Sequence, residues 1–330
     1  MKIRNVLLTS AAVLFCTASI SAATIAHTWV SGSGSDSNAC TFASPCLTFA
    51  GALAKTTAGG MITAMDAGDF GPVSIGQSVT IDGNNLGSII YSGSGGGSAI
   101  RMTASANVTV QNLIINGMGT AADGIDVESG GIVIVDNCKI MSITGYGIEF
   151  TGAGNLTVEN SRIESFNGEV GVHYVTGINI MGNAAENVVI RNTVIDASPV
   201  SEYSTGFAMH CGGGAVQTSM QNVTIMGAGQ YAVIASCGIT QITGSVLTQS
   251  GTGVEATNSA TISVASSMIT ANTTGACSMT GSKIRLDNND IYDNPTAIDN
   301  CGGIVKTSTT NKVSGTIAIP AADISESVTF

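Results

Sequence analysis

The feature that most constrains this chain is an internal repeat with a period of about 22 residues. The stretch Val108-Thr-Val110-Gln-Asn112 returns as Leu156-Thr-Val158-Glu-Asn160 and in several looser copies. The spacing is 22 to 25 residues in most copies and 32 and 30 residues in two consecutive ones. The residue that ends each copy is found at Asn112, Asn137, Asn160, Asn192, Asn222, Gly244, Ser266 and Asn288.

Each copy also contains a second short stretch with the pattern Gly-apolar-x-apolar, such as Gly124-Ile125-Asp126-Val127. This alternation places apolar side chains on one face of a β-strand and polar ones on the other. A unit this small cannot bury its own apolar face. Stacked units can, because each strand then pairs in parallel with its equivalent about 4.8 Å away in the next unit. The repeat therefore predicts an all-β solenoid of about ten coils, with a hydrogen-bonded column of Asn side chains.

On this period, the Asn column and the Gly-led strands, residues from roughly 60 to 305 resemble the right-handed parallel β-helix superfamily, the pectate-lyase-like group. The resemblance implies a right-handed parallel β-helix. For enzymes of the group it also implies a groove along one sheet, where carboxylates or a basic residue from adjacent coils act. The segment Cys40-Thr-Phe-Ala-Ser-Pro45-Cys46 is similar to the start of a group of secreted bacterial β-helix repeat proteins. That second resemblance implies a bacterial origin and supplies no activity.

The first residues have the pattern of a secretory signal peptide. Lys2 and Arg4 precede an apolar run over residues 6–15, and the small residues Ser21-Ala22-Ala23 follow it. The sequence therefore predicts a leader over 1–23 and export to the periplasm or the extracellular space.

Both flanks of the repeat are expected to act as caps. Residues 24–60 are predicted to hold a capping amphipathic helix from Pro45 to Ala58, with Leu47, Ala50, Leu53 and Ala54 on its buried side. Residues 61–305 are then the β-helix. The Ser/Thr-rich segment 306–330 is predicted to be a C-terminal cap or tail.

The charge of the chain narrows its possible partners. Its net charge is −11, and it has no basic stripe of the kind that binds nucleic acid. After the leader, no apolar run approaches the about 20 residues needed to span a bilayer. The acidic balance is compatible with Ca²⁺, with neutral glycans, or with solubility alone.

Seven of the eight cysteines remain after the leader, and an odd number leaves at least one thiol unpaired. Cys40 and Cys46 are candidates to staple the N-terminal cap. Cys211 and Cys237 each lie five residues after the start of the Gly-led strand on successive coils. Stacking places these two within disulfide range, and two stacked buried thiols are the alternative.

The outward position of the Gly-led strand carries charge on three consecutive coils, at Arg101, Asp126 and Glu149. Asp123 and Glu128 flank this charged column. Two carboxylates this close can share a proton or a Ca²⁺, and Arg101 is expected to lower their pKa values. The pair suits a lyase or a hydrolase, and the alternative is a surface ion-pair ladder. The full series is Arg101, Asp126, Glu149, Asn179, Ala208, Ile234, Glu255, Cys277 and Asp299.

The two long coils carry insertions in the same turn, over roughly residues 164–175 and 199–204, and such insertions often build a binding wall. His173, in the first insertion, is a candidate acid or base near Glu149. A tyrosine falls shortly before the Gly-led strand on four successive coils, which predicts an aromatic edge that binds a sugar chain; packing within the turns is the alternative. These residues are Tyr146, Tyr174, Tyr203 and Tyr231.

Three functions remain open on these observations. The first is a secreted β-helix that binds an extracellular polysaccharide along the face with the charged column and the two insertions. The second is a polysaccharide lyase, epimerase or hydrolase that uses the same face. The third is a structural or adhesive surface protein without a catalytic site. The Asn-Thr-Asp, Asp-Asp and Gly-His-Gly motifs of polygalacturonases are absent, so no catalytic residue is carried over from the resemblance.

Overall fold

A computed structural model of the chain describes residues 25–93, 96–164, 166, 175–182, 186–198, 203–211, 216–320 and 324–325. The predicted leader and most of both insertions lie outside these ranges. In the described ranges the chain forms one short helix and 35 short strands.

In chain order the first elements are β1 Ile25–Val30, α1 Phe49–Leu53, β2 Thr56–Ala64, β3 Gly68–Asp69, β4 Val73–Ile75, β5 Val79–Asp82, β6 Gly87–Ile90, β7 Ser98–Met102, β8 Val108–Gln111, β9 Ile114–Asn116, β10 Asp123–Val127, β11 Ile132–Asp136, β12 Lys139–Met141, β13 Tyr146–Phe150, β14 Asn155–Glu159, β15 Arg162–Glu164, β16 Thr176–Gly182, β17 Glu186–Arg191 and β18 Val194–Asp196. The remaining strands are β19 Thr205–Cys211, β20 Val216–Gln221, β21 Thr224–Met226, β22 Tyr231–Ala235, β23 Ile239–Thr243, β24 Val246–Thr248, β25 Thr252–Ala256, β26 Thr261–Ala265, β27 Met268–Thr270, β28 Thr274–Ser278, β29 Lys283–Asp287, β30 Asp290–Tyr292, β31 Thr296–Asp299, β32 Ile304–Ser308, β33 Lys312–Val313, β34 Thr316–Ala318 and β35 Ile324–Ser325.

The strands form three parallel sheets that run the length of the molecule, and each regular coil gives one strand to each sheet. Sheet A contains 13 described strands, in the order β1-β2-β5-β8-β11-β14-β17-β20-β23-β26-β29-β32-β35. Sheet B contains 11, in the order β3-β6-β9-β12-β15-β18-β21-β24-β27-β30-β33. Sheet C contains 11, in the order β4-β7-β10-β13-β16-β19-β22-β25-β28-β31-β34. This arrangement confirms the predicted parallel β-helix.

The core consists of columns of apolar side chains that point into the coils. In sheet C, Ile125 pairs with Ile148 and Ile148 with Ile178, and all three are fully buried. Burial of one such side chain contributes about 1.5–3 kcal/mol. Because side chains alternate along a strand, this inward column fixes which residues face solvent on the same strands.

The turn between sheets A and B holds the predicted polar column. The Asn137 amide donates to Asn112 Oδ1 at 2.8 Å. One step is irregular, because Asn160 donates to Asp136 Oδ1 instead. The left-handed backbone of this turn explains the choice of Asn and Gly, which adopt positive φ more readily than other residues. Positive φ, between 47° and 57°, is found at Asn85, Asn112, Asn137, Asn160, Asn192, Asn222, Gly244, Ser266 and Asn288.

A second polar column lies one residue further along the same turn, inside the coil. The backbone N–H of Ser245 donates to Ser267 Oγ at 3.1 Å, and that of Ser267 to Asn289 Oδ1 at 3.0 Å. Asn289 N–H donates in turn to Asn311 Oδ1 at 2.7 Å. Buried amide groups that would be costly if left unpaired are thereby satisfied between coils.

The N-terminal helix α1 is short, because β2 begins only three residues after it and takes the following residues into sheet A. The Thr48 hydroxyl caps α1 by accepting the N–H of Gly51 at 2.9 Å. Asp36 Oδ1 accepts the N–H of Thr48 at 2.9 Å; desolvation raises the pKa of this carboxyl, but hydrogen bonds from Thr48 and Leu47 outweigh it and the net shift is downward.

The structure corrects the predicted helix over Pro45 to Ala58 in its length and in its buried face. Phe49 and Ala52 are fully buried, whereas Leu47 is 41% exposed. Ala50 and Ala54 are also exposed, and Leu53 packs partly against the core. The prediction was wrong because it assumed a longer helix, whose apolar face differs from that of a single turn.

The repeat continues past residue 305 into the segment predicted as a cap or tail. β32 pairs with β29, and β33 and β34 pair with the strands of the preceding coil. Ser and Thr side chains are compatible with strands, and Thr307 and Ser308 of β32 are themselves buried, so their abundance in this segment does not end the fold. No helix in the described ranges is long and apolar enough to cross a membrane.

Candidate functional site

The outward column of sheet C has the register that the sequence predicts. Arg101 pairs with Asp126, and Asp126 pairs with Glu149. Parallel strands lie about 4.8 Å apart, so the two carboxyl groups share one small surface. The column continues through Asn179, Ala208, Ile234, Glu255, Cys277 and Asp299.

Arg101 is the cation of the charged column, and it serves two carboxylates. Its guanidinium forms a close hydrogen-bonded pair with Glu128, which directly follows β10 on the next coil. Its Nε lies 3.7 Å from Asp126 Oδ2. Arg101 is therefore held mainly by Glu128 and only partly by the buried carboxylate.

Asp123 lies three residues before Asp126, at the start of β10, and is buried. The Ser98 hydroxyl on the preceding coil lies 3.1 Å from Asp123 Oδ2 and 3.4 Å from Asp126 Oδ2. Burial raises the pKa of Asp123 to about 6; the Ser98 hydrogen bond lowers it, and the charge of Asp126 raises it further. Asp123 therefore takes up a proton at mildly acidic pH.

Asp126 shows how burial outweighs the neighbouring cation. Its pKa is raised, first by desolvation and then by the charge of Glu128, while Arg101 acts in the lowering direction. Arg101 therefore lowers the pKa of Asp126 as expected, but desolvation and the charge of Glu128 outweigh it and the net shift is upward. The reason is that Arg101 is exposed and already paired, whereas Asp126 is only 9% exposed.

The pKa of Glu149 is raised to about 7. Desolvation is the largest cause, followed by the charges of Asp123 and Asp126. A hydrogen bond from the buried Asn179 side chain lowers the value in part. A carboxyl group with a pKa near 7 can both donate and accept a proton at neutral pH.

Immediately beyond Glu149, the outer face of sheet C forms a groove of about 330 Å³. It runs along the solenoid axis over strands β13, β16, β19 and β22. Its floor is neutral and partly apolar, and a tyrosine stands at each end. The groove is lined by Tyr146, Thr176, Asn179, Met181, Thr205, Ala208, His210, Gln230, Tyr231 and Ile234.

The tyrosines of the predicted aromatic edge occupy different places. Tyr146 and Tyr231 share one column of sheet C, but Thr176 and Thr205 lie between them on the intervening coils. Tyr203 lies in the turn before β19 and is half-buried. Two aromatic side chains about three rung spacings apart, near 14 Å, therefore bracket the groove instead of forming a continuous edge.

Two candidates from the first insertion, His173 and Tyr174, lie outside the described residues. Their predicted roles as acid or base and as sugar-binding residue remain predictions. The bulk of the second insertion also lies outside those residues, apart from its end at Tyr203 and Ser204.

Several groove residues were not singled out from the sequence as a site. Thr176 and Thr205 begin the Gly-led strands, and Met181 and His210 extend β16 and β19 beyond the usual strand length. Glu255, on the coil after the groove, accepts a hydrogen bond from Tyr231. One sequence pattern could have indicated this part of the site. Asp123, Tyr146 and Tyr231 each lie three residues before a residue of the outward column.

The described cysteines form structural links and one free thiol. Cys40 and Cys46 form a disulfide. Cys237 is disulfide-bonded; the register that pairs Met209 with Ala235 runs on toward Cys211, whose side chain lies outside the described residues. Cys277 and Cys301 form a disulfide that the sequence reasoning missed, although their spacing of 24 residues is close to one coil.

The odd thiol is Cys138, which is free and buried; burial raises its pKa to about 12, so it stays protonated.

A Ca²⁺ ion at Asp126 and Glu149 remains a prediction. Within the described ranges, no three His, Cys, Asp or Glu side chains converge in the manner of a metal site. Asp126 faces the Arg101 guanidinium, which competes with a cation for the same oxygen. The carboxyl pair is therefore explained as well by proton sharing as by metal binding.

Comparison with a family model described as the right handed beta helix region matches residues 68–217 and 205–322. A search of curated proteins finds none that matches the chain.

Among solved structures, pectate lyase Pel9A is similar at a TM-score of 0.57 and 13% identity, over 92% of this chain and 79% of that one. The A-module of the Azotobacter vinelandii mannuronan C-5 epimerase AlgE4 is similar at a TM-score of 0.51 and 14% identity, over 76% of this chain and 73% of the module. At these identities the likeness shows a shared fold.

Proposed function

The chain belongs to the right-handed β-helix family, and from that premise we propose that it binds a polysaccharide along the groove of sheet C. The observation that carries the proposal is the groove itself, in which Tyr146 and Tyr231 bracket a floor of threonine, asparagine and apolar side chains. Tyrosine rings present an apolar face to a sugar ring and a hydroxyl to its edge. A linear groove across several coils suits a chain ligand better than a compact one.

Two further observations support a polysaccharide as the ligand class. The groove volume of about 330 Å³ lies near the lower end of the about 300–1,000 Å³ usual for ligand sites. The solved β-helices of similar fold described above are a pectate lyase and a mannuronan epimerase, both named for action on polysaccharides.

The test is a binding panel of soluble polysaccharides against the purified protein, read by affinity electrophoresis and calorimetry. Tyr146→Ala and Tyr231→Ala are each expected to lower affinity about tenfold, equivalent to about 1.4 kcal/mol. Tyr292→Ala is the matched control, because Tyr292 lies on sheet B, away from the groove. Equal losses in all three variants, or no binding by the parent protein, would contradict the proposal and favour a structural or adhesive role.

A second candidate function is cleavage or epimerisation of the bound chain. Glu149 favours it, because this carboxyl group combines a pKa of about 7 with a place beside the groove and next to Asp126. Glu149 is then the proton donor or acceptor, and Asp126 is the second carboxyl group of the pair. The Ser98 hydroxyl lies within hydrogen-bond distance of Asp126 and of Asp123 and helps to position both carboxyl groups.

This second candidate is tested by incubating the same panel with the protein, with and without Ca²⁺. Unsaturated products are read at 235 nm and reducing ends by a colorimetric assay. Absorbing products indicate a lyase, reducing ends without absorbance indicate a hydrolase, and altered coupling constants in the NMR spectrum of the polymer indicate an epimerase. Binding without any of the three would leave the binding function alone.

Export belongs to the same proposal. The leader over residues 1–23 would deliver the protein to the compartment where polysaccharide and oxidising conditions are found, and the disulfide Cys40–Cys46 is consistent with that compartment. Expression of the full chain followed by N-terminal sequencing of the exported protein checks it. The expected first residue is Thr24.

A further inference from the structure

The groove and the segments that border it are unusually poor in cations. From residue 142 to residue 282 the sequence contains no lysine, two arginines, Arg162 and Arg191, and two histidines, His173 and His210. Arg162 lies in β15 of sheet B and pairs with Glu164 and Asp196. Arg191 lies at the end of β17 in sheet A, 4.0 Å from Glu159.

The carboxylates, by contrast, stand at both ends of the groove. Glu149 lies in the coil at one end, and Glu255 contacts Tyr231 at the other. Among the described lining residues, His210 is the one imidazole; its side chain is exposed, and desolvation lowers its pKa from the ordinary value of 6.5, which disfavours the cationic form.

The floor between these ends offers neutral and apolar contacts. Ala208 and Ile234 follow Asn179 in the outward column, and Met181 is 43% exposed beside them. Thr176 and Thr205 contribute hydroxyl groups. These groups can hydrogen-bond the hydroxyls of a sugar or pack on its apolar face, but none of them neutralises a carboxylate.

We propose that the groove selects uncharged glycans and discriminates against polyuronates; this inference rests on the proposed function of the same groove. A uronic acid unit would have to bring its carboxylate next to Glu149 or Glu255 and lose water without gaining a cation. Desolvation of an unpaired charge and like-charge contact both disfavour that complex. A neutral sugar of the same shape meets neither cost.

The experiment compares ligands that share a backbone and differ in charge. Polygalacturonate is paired with its fully methyl-esterified form, and a cellulose oligomer with its C6-oxidised form. Each is titrated into the purified protein by calorimetry at pH 7.5, in Ca²⁺ and in EDTA. The neutral member of at least one pair is expected to bind at least about tenfold more tightly than the charged member, in both buffers.

The outcomes distinguish failure of the charge selectivity from failure of polysaccharide binding itself. Binding of a charged member as tightly as its neutral partner, with Ca²⁺ or without, overturns the selectivity and leaves polysaccharide binding standing. Failure of both members of every pair overturns the binding function and the selectivity with it.

A single added cation provides an independent check. Ile234→Lys places an ammonium group on the groove floor, and Ile239→Lys places one on the exposed outer face of sheet A. The first variant is expected to gain about tenfold in affinity for the charged member of a pair, and the second to leave it unchanged. Equal affinities in the two variants would contradict the proposal.

Discussion

The charged column and the groove are neighbouring stretches of one outer face of sheet C, and they differ sharply in character. In the first, Arg101, Asp126 and Glu149 occupy three consecutive outward positions. In the second, Asn179, Ala208 and Ile234 occupy the next three, with no charge. Glu149 stands at the border, where carboxylate repulsion on one side meets a neutral surface on the other.

The inward residues of the same strands do not differ in this way. Ile125 and Ile148 under the charged column, and Ile178 and Phe207 under the groove, are all fully buried and in register. The inward residues therefore fix the position of each strand, whereas the outward residues determine the charge and polarity of the surface. Outward substitutions can therefore be used to test the site without dismantling the coil.

The largest expected effect concerns the border residue, if the protein turns over its ligand. Glu149→Gln is expected to lower kcat by about 10²–10⁴, because it removes a proton-transfer group. Glu255→Gln, at the other end of the groove, contacts Tyr231 and is expected to raise KM with kcat unchanged. Steady-state kinetics on any polysaccharide that yields product measures both. A similar loss of kcat in the two variants would contradict the assignment of proton transfer to Glu149 and of ligand binding to Glu255.

A smaller effect is expected when the charged stretch is extended by one coil. Asn179→Asp replaces the amide that donates to Glu149 with a second carboxylate in a buried place. The free energy of unfolding at pH 8 is expected to fall by about 1–3 kcal/mol, and by less at pH 5, where a proton can be shared. Asn187→Asp, on the exposed face of sheet A, is the matched control and should change little. Urea unfolding at both pH values decides the question.

The pH dependence of stability should come from the charged stretch. The folded protein holds the protons of Asp123 and Glu149 more firmly than the unfolded chain, because both pKa values are raised, to about 6 and about 7. Their contribution is therefore most favourable below the ordinary values of 3.8 and 4.5, and declines as the pH rises through the folded values.

Removal of the Asp123 carboxyl should make the free energy of unfolding depend less on pH. The difference in this free energy between Asp123→Asn and the parent is expected to change in favour of the variant by on the order of 1 kcal/mol from pH 4 to pH 7. Thermal unfolding followed by circular dichroism across this range measures the difference. A parallel shift of the variant at all pH values would indicate that Asp123 contributes through its hydrogen bonds alone.

The smallest effect is expected at the exposed end of the column. Arg101→Gln removes a cation that is paired mainly with Glu128 at the surface, so thermal stability at pH 7 should hardly change. The pKa of Asp126 should nevertheless rise further, because Arg101 is its nearby positive charge. Carboxyl chemical shifts from an NMR pH titration measure this. A fall in the pKa of Asp126 would contradict the account of the column.

The solenoid and the register of its outer column were predictable because each depends on a pattern that recurs coil after coil. Asn112 and Asn137 carry the same signal twice, and the Gly-led strands fix which residue faces out. Each coil of the stack has the same sequence pattern, so a wrong assignment in one copy does not change the assignment of the others. The short helix α1 occurs once, and there the reasoning from periodicity misjudged both its length and its buried face.

The groove was less predictable than the charged column beside it. Charge is visible in the sequence, but Thr176, Ala208 and Ile234 become a binding surface only through being flanked by Tyr146 and Tyr231. The raised pKa of Asp126 also depends on how much water the neighbouring coils exclude. Burial of a polar side chain is a property of the assembled stack, and no single repeat contains it.

The parallel register of sheet C places outward side chains of one column at regular intervals along the solenoid axis. Two outward side chains in the same column are separated by a whole number of rungs, so their spacing along the axis changes in increments of about 4.8 Å. Glu149 and Glu255 are four rungs apart. Insertion or deletion of one coil between them would change the distance between the two carboxyl groups by about 4.8 Å. The stretch of ligand between them would change by the same length, while every coil kept its own internal contacts.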